Sequence, residues 1–319
     1  MANAGMSVNL LHLDDALLLQ PGFLAACRRH MPEQVDLQEM GSTIRLWADA
    51  SQLEELKTLL EISVKGLDDG RTVVSWIGSG DFHHVTALLI ELIADRHEIP
   101  LTVVHFDNHP DWVLHSDGMH CGSWVRYLLD RQVVERVVSI GINSRDLVWP
   151  DLKGGGIGHV QEGRHVVYAH RPVRLSPFRR SCPVPAGFRL IPSDSPETGF
   201  SPNLAQSALA EVETAAIYVT IDKDVLQAGD AITNWDQGLL RIDAVAASIK
   251  VLFAHRHVVG IDVIGDRSRP RYRGSLATQW RKRCEVMIDQ PIMRDRGDAV
   301  RVNERSNIRL LSEIEAAQC

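Results

Sequence analysis

Short, almost unbroken apolar runs recur along the chain, at residues 72–77 (TVVSWI), 101–106 (LTVVHF), 136–140 (RVVSI), 216–221 (AIYVTI) and 257–261 (HVVGI). They are rich in β-branched residues and too short for helices. Such runs predict strands covered on both faces, as in a parallel sheet. Between them the apolar residues recur at helical spacing. This predicts helices over 85–96, 121–131, 204–213 and 243–255. Strand alternating with helix implies an α/β layered architecture.

Two stretches break the pattern. Residues 153–202 are rich in Gly, Pro, Ser and Arg, include Gly154-Gly155-Gly156, and predict a loop-rich excursion with short strands at 166–169 and 188–191. Such a stretch is either a surface excursion or a rim over a site. From Arg294 onward the chain is strongly charged, with a short helix expected over 312–317. No internal repeat is visible, so the 319 residues are expected to form one α/β unit.

Composition narrows the function classes. With 34 Lys+Arg against 41 Asp+Glu the net charge is −7, which argues against a general nucleic-acid binder. The five cysteines (Cys27, Cys121, Cys182, Cys284, Cys319) form no CxxC pair, so neither a disulfide framework nor a zinc finger is indicated, and a reducing cytoplasm is expected. No basic leader and no apolar run of membrane-spanning length is seen; a membrane is not an expected partner.

The chemistry concentrates just after three predicted strands. The segments are Gly78-Ser79-Gly80-Asp81-Phe82-His83-His84, Asp107-Asn108-His109-Pro110-Asp111-Trp112 and Asp222-Lys223-Asp224. Asp107, His109 and Asp111 stand at i, i+2 and i+4. In an extended segment they share one side. Asp222 and Asp224 repeat the device, with Lys223 facing away. The carboxyl ends of parallel strands are where open α/β sheets bind ligands. Four converging carboxylates would repel one another without cations. Four carboxylates with two imidazoles and no thiolate suit divalent metal of the Mn²⁺ type, and six donors suffice for two ions sharing bridging carboxylates.

In this order and position, the three segments resemble the Gly-Gly-Asp-His, Asp-Ala-His-x-Asp and Asp-x-Asp motifs of the arginase and agmatinase (ureohydrolase) family. The resemblance covers residues 72–266 and is most specific at the second motif; the first 70 and last 50 residues carry no matching motif. It implies a three-layer αβα sandwich around a mainly parallel sheet of about eight strands. It implies two Mn²⁺ per chain, bridged by Asp107 and Asp222, with His83 and Asp111 completing one ion and His109 and Asp224 the other. It implies hydrolysis of a C–N bond in a guanidino or amidino compound by a hydroxide bridging the metals. His120 falls where the family has a proton-shuttling histidine, a role suited to an imidazole; His120 and Asp111 are thus the expected catalytic residues.

The departures lie around the metal motifs. Phe82 is an extra residue before the histidine of the first motif, which leaves His83 and His84 as rivals, with His83 preferred. The stretch from Asp111 to His120 is shorter than the arginase loop that reads an amino acid's head group. Asn143-Ser144-Arg145-Asp146 offers no secure match to the amine-binding segment. Where the family has Asp-x-x-Glu, whose glutamate grips the guanidinium, this chain has Asp262-Val263-Ile264-Gly265-Asp266. Asp266, Trp112 and His115 are the expected substrate-binding residues, with Trp235 a further aromatic candidate. The expected partner is a small guanidino or amidino molecule, with a homo-oligomer possible and free L-arginine a poor substrate. A deacetylase-like metal amidohydrolase is a second reading, against which the surplus ligands His83, Asp111 and Asp224 count. A non-catalytic metal- or ligand-binding protein of the same fold is a third.

Overall fold

The computed structural model describes residues 5–97, 99–152, 154–176, 186–191, 204–291 and 297–318. The strands are β1 (Met6–His12), β2 (Glu33–Asp36), β3 (Trp47–Ala48), β4 (Thr72–Gly78), β5 (Leu101–Phe106), β6 (Met119–His120), β7 (Arg136–Ile142), β8 (His165–Ala169), β9 (Phe188–Leu190), β10 (Ala216–Asp222) and β11 (His257–Ile264). Nine of them form one sheet in the order β2-β1-β4-β11-β10-β5-β7-β8-β9. Every neighbouring pair in it runs parallel. The short β3 and β6 pair antiparallel beside it.

Alternation along each strand divides the core into two layers. Val73, Val103 and Val137 join the cluster under α2 (Gln38–Ile44), α3 (Ala50–Ser63), α4 (Val85–His97) and α5 (Trp124–Asp130). Val74, Val104 and Val138 join the opposite cluster under α1 (Pro21–Cys27), α7 (Leu204–Ala210), α8 (Ile242–His255) and α10 (Gly297–Gln318). Helices on both faces of a parallel sheet give a three-layer αβα arrangement. Consecutive residues of one strand thus serve different layers, which is why those strands read as unbroken apolar runs.

All five strands expected from apolar runs are present. The sheet has nine strands rather than about eight; the last is the three-residue edge strand β9. The described part of the 153–202 excursion holds α6 (Ile157–Gln161), β8 and β9, while 177–185 and 192–203 lie outside the described residues. The charged tail needs correction. Residues 297–318 form one 22-residue helix, not a short one over 312–317. Its buried side carries Asn303, Ser306 and Asn307 beside Leu310, Leu311 and Ile314, so polar residues hid the helical period. Also unforeseen was α9 (Leu276–Asp289).

Candidate metal centre and its cavity

The middle strands β4, β10 and β5 end together, and their carboxyl ends deliver the polar residues. His83 sits in the turn after β4, Asp107 directly follows β5, Asp222 closes β10 and Asp224 stands in the turn beyond it. His83 Nδ1 lies 3.1 Å from Asp107 Oδ2, 3.1 Å from Asp111 Oδ2 and 3.5 Å from Asp222 Oδ2. His109 Nδ1 lies 2.8 Å from Asp224 Oδ2 and 3.5 Å from Asp107 Oδ1. The six residues named from the sequence are therefore brought together. Two donor groups emerge, His83 with His105, Asp107 and Asp111, and Asp107 with His109 and Asp224. Asp107 belongs to both.

The local backbone explains the convergence. The Asp222 carboxylate accepts the amide of Asp224 at 2.9 Å, and Asp107 accepts that of His109 at 2.5 Å, so each Asp-x-x turn is tied to its own strand end. Asp111 adopts φ 46°, in the left-handed region. Asp tolerates it better than most residues, and the surroundings hold it there. Trp124 Nε1, from α5, donates to Asp111 Oδ2 at 2.5 Å. Gly80 permits the approach of the first segment, since a Cβ there would stand 2.9 Å from Asp222 Oδ2.

Electrostatics tests the fit of a cation. Burial, followed by repulsion from Asp107, pushes Asp222 up to about 7 and Asp224 well above the carboxylate range. Asp107 goes the other way: burial opposes its charge, but the His105 imidazole and further hydrogen-bonding histidines hold it well below. Protein alone therefore ionises this set unevenly. Oxygen and imidazole donors without thiolate, converging at this density, fit divalent cations of the Mn²⁺ class.

Behind the ligands stands a second layer that orients them, as metal-site histidines generally require. His83 Nε2 meets Thr220 Oγ1 at 3.1 Å, and that hydroxyl donates to Asp262 at 2.6 Å, leaving Nδ1 for the centre. His109 Nε2 meets Asp236 Oδ1 at 2.8 Å. His105 Nε2 meets Asp107 Oδ2 at 2.8 Å, while its Nδ1 meets Ser139 Oγ at 2.9 Å. His105 was legible after all: it is one step back along the 107, 109, 111 row. Asp236 carried no such signal.

The two rival histidines stand in different surroundings. His83 faces the carboxylates, whereas His84 is fully buried with neither ring nitrogen hydrogen-bonded. Burial, then the nearby His120 and Lys282, hold His84 well below its ordinary value, so its ring is neutral. His83→Ala should lower metal occupancy measured by elemental analysis, and His84→Leu should leave it intact. Metal loss in the His84 variant alone would reverse the register.

The centre opens into a cavity of about 760 Å³. His120, Cys121, Trp112, Trp235, Asp146 and Asp236 line it, as do Ile288–Pro291 at the end of α9. Trp112 is 2% exposed and belongs to a third apolar cluster with Ile142 and Ile157. His120 has both nitrogens engaged. Nε2 meets Glu285 Oε1 of α9 at 2.6 Å, and Nδ1 accepts the Gly122 amide at 2.9 Å.

Two expected substrate contacts are corrected. His115 is not among the cavity-lining residues; it lies 6.4 Å from the Trp47 ring and 6.0 Å from His120. Asp266 is buried on the other side of its strand end, where it takes Lys223 Nζ at 2.6 Å, Gln20 Nε2 at 2.9 Å and Asn307 Nδ2 at 3.1 Å. Drawing it toward the cavity would strand a fully buried ammonium, at a cost of about 3–5 kcal/mol.

Comparison with known proteins agrees with the fold. Residues 33–153 match the model of the arginase family. An uncharacterized protein of Thermotoga maritima is 24% identical over 193 residues, covering 60% of this chain; the chain spans 58% of that relative's length. Among solved structures, arginase from Bacillus caldovelox superposes with a TM-score of 0.58 at 15% identity, covering 98% of both chains. Proclavaminate amidino hydrolase from Streptomyces clavuligerus gives 0.55 at 17% identity, covering 100% of this chain and 93% of that one. Formimidoylglutamase from Bacillus subtilis gives 0.54 at 14%, covering 99% and 87%.

Proposed function

We propose that this chain, which matches the arginase family over residues 33–153 and shares the fold of arginase, is a manganese-dependent hydrolase of a C–N bond in a guanidino or amidino compound. One observation carries the reading: two donor groups share Asp107 and face a cavity of small-molecule size. His83, Asp111 and Asp222 would hold one ion with Asp107, and His109 and Asp224 the other with the shared aspartates. A pair of ions bound there would activate water and polarise the carbon under attack.

The chain's own residues supply the rest. The Thr220–Asp262 pair and Asp236 fix the imidazole orientations of His83 and His109. Trp235 donates to Asp81 at 3.0 Å and places its ring 5.8 Å from that of His109, where it walls the cavity. His120, held by Glu285 on the cavity wall, is the candidate acid–base group, a role in which Nδ1 would exchange the Gly122 amide for the reacting group.

The test is a panel of guanidino, hydroxyguanidino, amidino and ureido compounds given to Mn²⁺-loaded wild type and His120→Ala. Wild type should turn over at least one of them. The variant should keep its metal and lose about 10²–10⁴-fold in rate, with an altered pH profile. No turnover across the panel by protein holding two ions would overturn the reading.

A further inference from the structure

Helix α9 is inside out. Lys282 is its only buried residue; Nζ caps the carbonyls of Thr43 at 2.6 Å and Trp47 at 2.9 Å. Glu285, on the same side, meets His120. None of its residues belongs to any of the three apolar clusters. Leu276, Trp280, Met287 and Ile288 are instead 86%, 68%, 82% and 80% exposed. Their spacing of i, i+4, i+11 and i+12 gathers them on the outer side. A surface helix ordinarily turns its apolar stripe to the core. This one is anchored by polar contacts and presents its apolar side chains outward.

Charge is equally uneven. Residues 267–283 contain seven cationic side chains and no carboxylate, in a chain of net charge −7. Arg271 and Arg273 meet Asp15 and Glu39 at the surface. Arg269, Arg281 and Arg283 are exposed and form no ion pair among the described residues. Arg281 and Arg283 flank the exposed apolar residues of α9.

We propose that α9 and the arginine-rich segment before it form a docking surface for an anionic lipid bilayer. The apolar side chains enter the headgroup boundary and the guanidinium groups meet lipid phosphates, as in interfacial amphipathic helices. The charge selects an anionic partner. Four large apolar side chains have no counterpart on a nucleic-acid surface. A two-fold pairing of α9 with itself would bring Arg281 and Arg283 against their own copies. This departs from the expectation of no membrane partner, which weighed only the length of apolar runs. Among the described residues, no helix is long and apolar enough to cross a membrane, so the contact is interfacial. Because Ile288–Pro291 also line the cavity, docking would set its rim beside the lipid. The inference stands independently of the hydrolase reading.

The experiment is co-sedimentation of the full chain with vesicles of phosphatidylcholine alone or mixed with phosphatidylglycerol. Binding is expected only to the mixed vesicles and should weaken with salt. Replacing Arg269, Arg281 and Arg283 together by Gln should weaken it about 10²-fold, at roughly a factor of five per arginine. Leu276→Ser, Trp280→Ser and Met287→Ser combined should abolish it while thermal unfolding stays nearly unchanged, since these side chains are largely exposed and belong to none of the apolar clusters of the described residues. No binding to mixed vesicles at low salt would overturn the proposal, as would undiminished binding of the serine variant. A wild-type oligomer that the serine variant converts to monomer would assign the face to a second copy instead.

Discussion

Asp107→Ala is expected to lose both metal ions and about 10³-fold or more of activity, the scale of removing several kcal/mol of metal-borne stabilisation. Asp107 is the carboxylate common to both donor groups. Its Oδ2 faces His83 at 3.1 Å and His105 at 2.8 Å, while Oδ1 takes the amide of His109 at 2.5 Å and lies 3.5 Å from His109 Nδ1. Each oxygen thus belongs to a different donor group. Removing Asp224 subtracts from the second group alone; removing Asp107 breaks both. The variant also frees His105 Nε2 in a fully buried site, so circular dichroism must accompany the assay. Elemental analysis is the deciding measurement. Full occupancy in folded Asp107→Ala would remove Asp107 from the bridging role and with it the two-ion arrangement.

That prediction was within reach of the sequence because its residues obey a short-range rule. Asp107, His109 and Asp111 alternate after an apolar run, and Asp222 and Asp224 do the same. Strand continuity and the sidedness of an extended chain were enough to converge them. The five long inner strands were legible for the same reason: burial on both faces leaves an unmistakable apolar run. What stayed hidden depends on long-range packing. Asp236 reaches His109 from a loop more than a hundred residues away, and Glu285 reaches His120 from a helix whose apolar period points outward. Helix α10 was masked because Asn303 and Asn307 occupy buried positions, bonded to Ile232 and to Gln20 and Asp266. Asp266 was misjudged because a carboxylate one residue from Gly265 can face either side of the strand end. The positive φ at Gly265 helps turn it toward Lys223.

L-Arginine is expected to be turned over with kcat/KM below about 10⁴ M⁻¹s⁻¹, and Gly265→Glu should make matters worse rather than restore an arginase. Gly265 adopts φ 95°, and a Cβ there would stand 2.3 Å from Asp222 Oδ1 and 2.6 Å from the backbone nitrogen of Lys223. The position where the resemblance places a guanidinium-gripping glutamate is therefore closed to any side chain, and Asp266 is held by Lys223 and Asn307. The segment after β7, which offered no secure match to the family's amine-binding residues, has its side chains engaged within the fold: Asn143 accepts Arg171 at 2.8 Å, and Asp146 accepts the Ser144 hydroxyl at 2.9 Å. At about 1.5–3 kcal/mol for each charged hydrogen bond, two absent grips lower kcat/KM by roughly 10²–10⁴. The cavity offers the Trp235 ring instead, a setting for a differently substituted guanidine. In Gly265→Glu the new side chain must displace Asp222 or bend the turn that carries it. Calorimetric titration with Mn²⁺ should then show fewer than two ions per chain, and thermal melting should show a less stable protein. A Gly265→Glu variant that binds both ions and hydrolyses arginine faster than wild type would show that the closed strand end is not what turns arginine away.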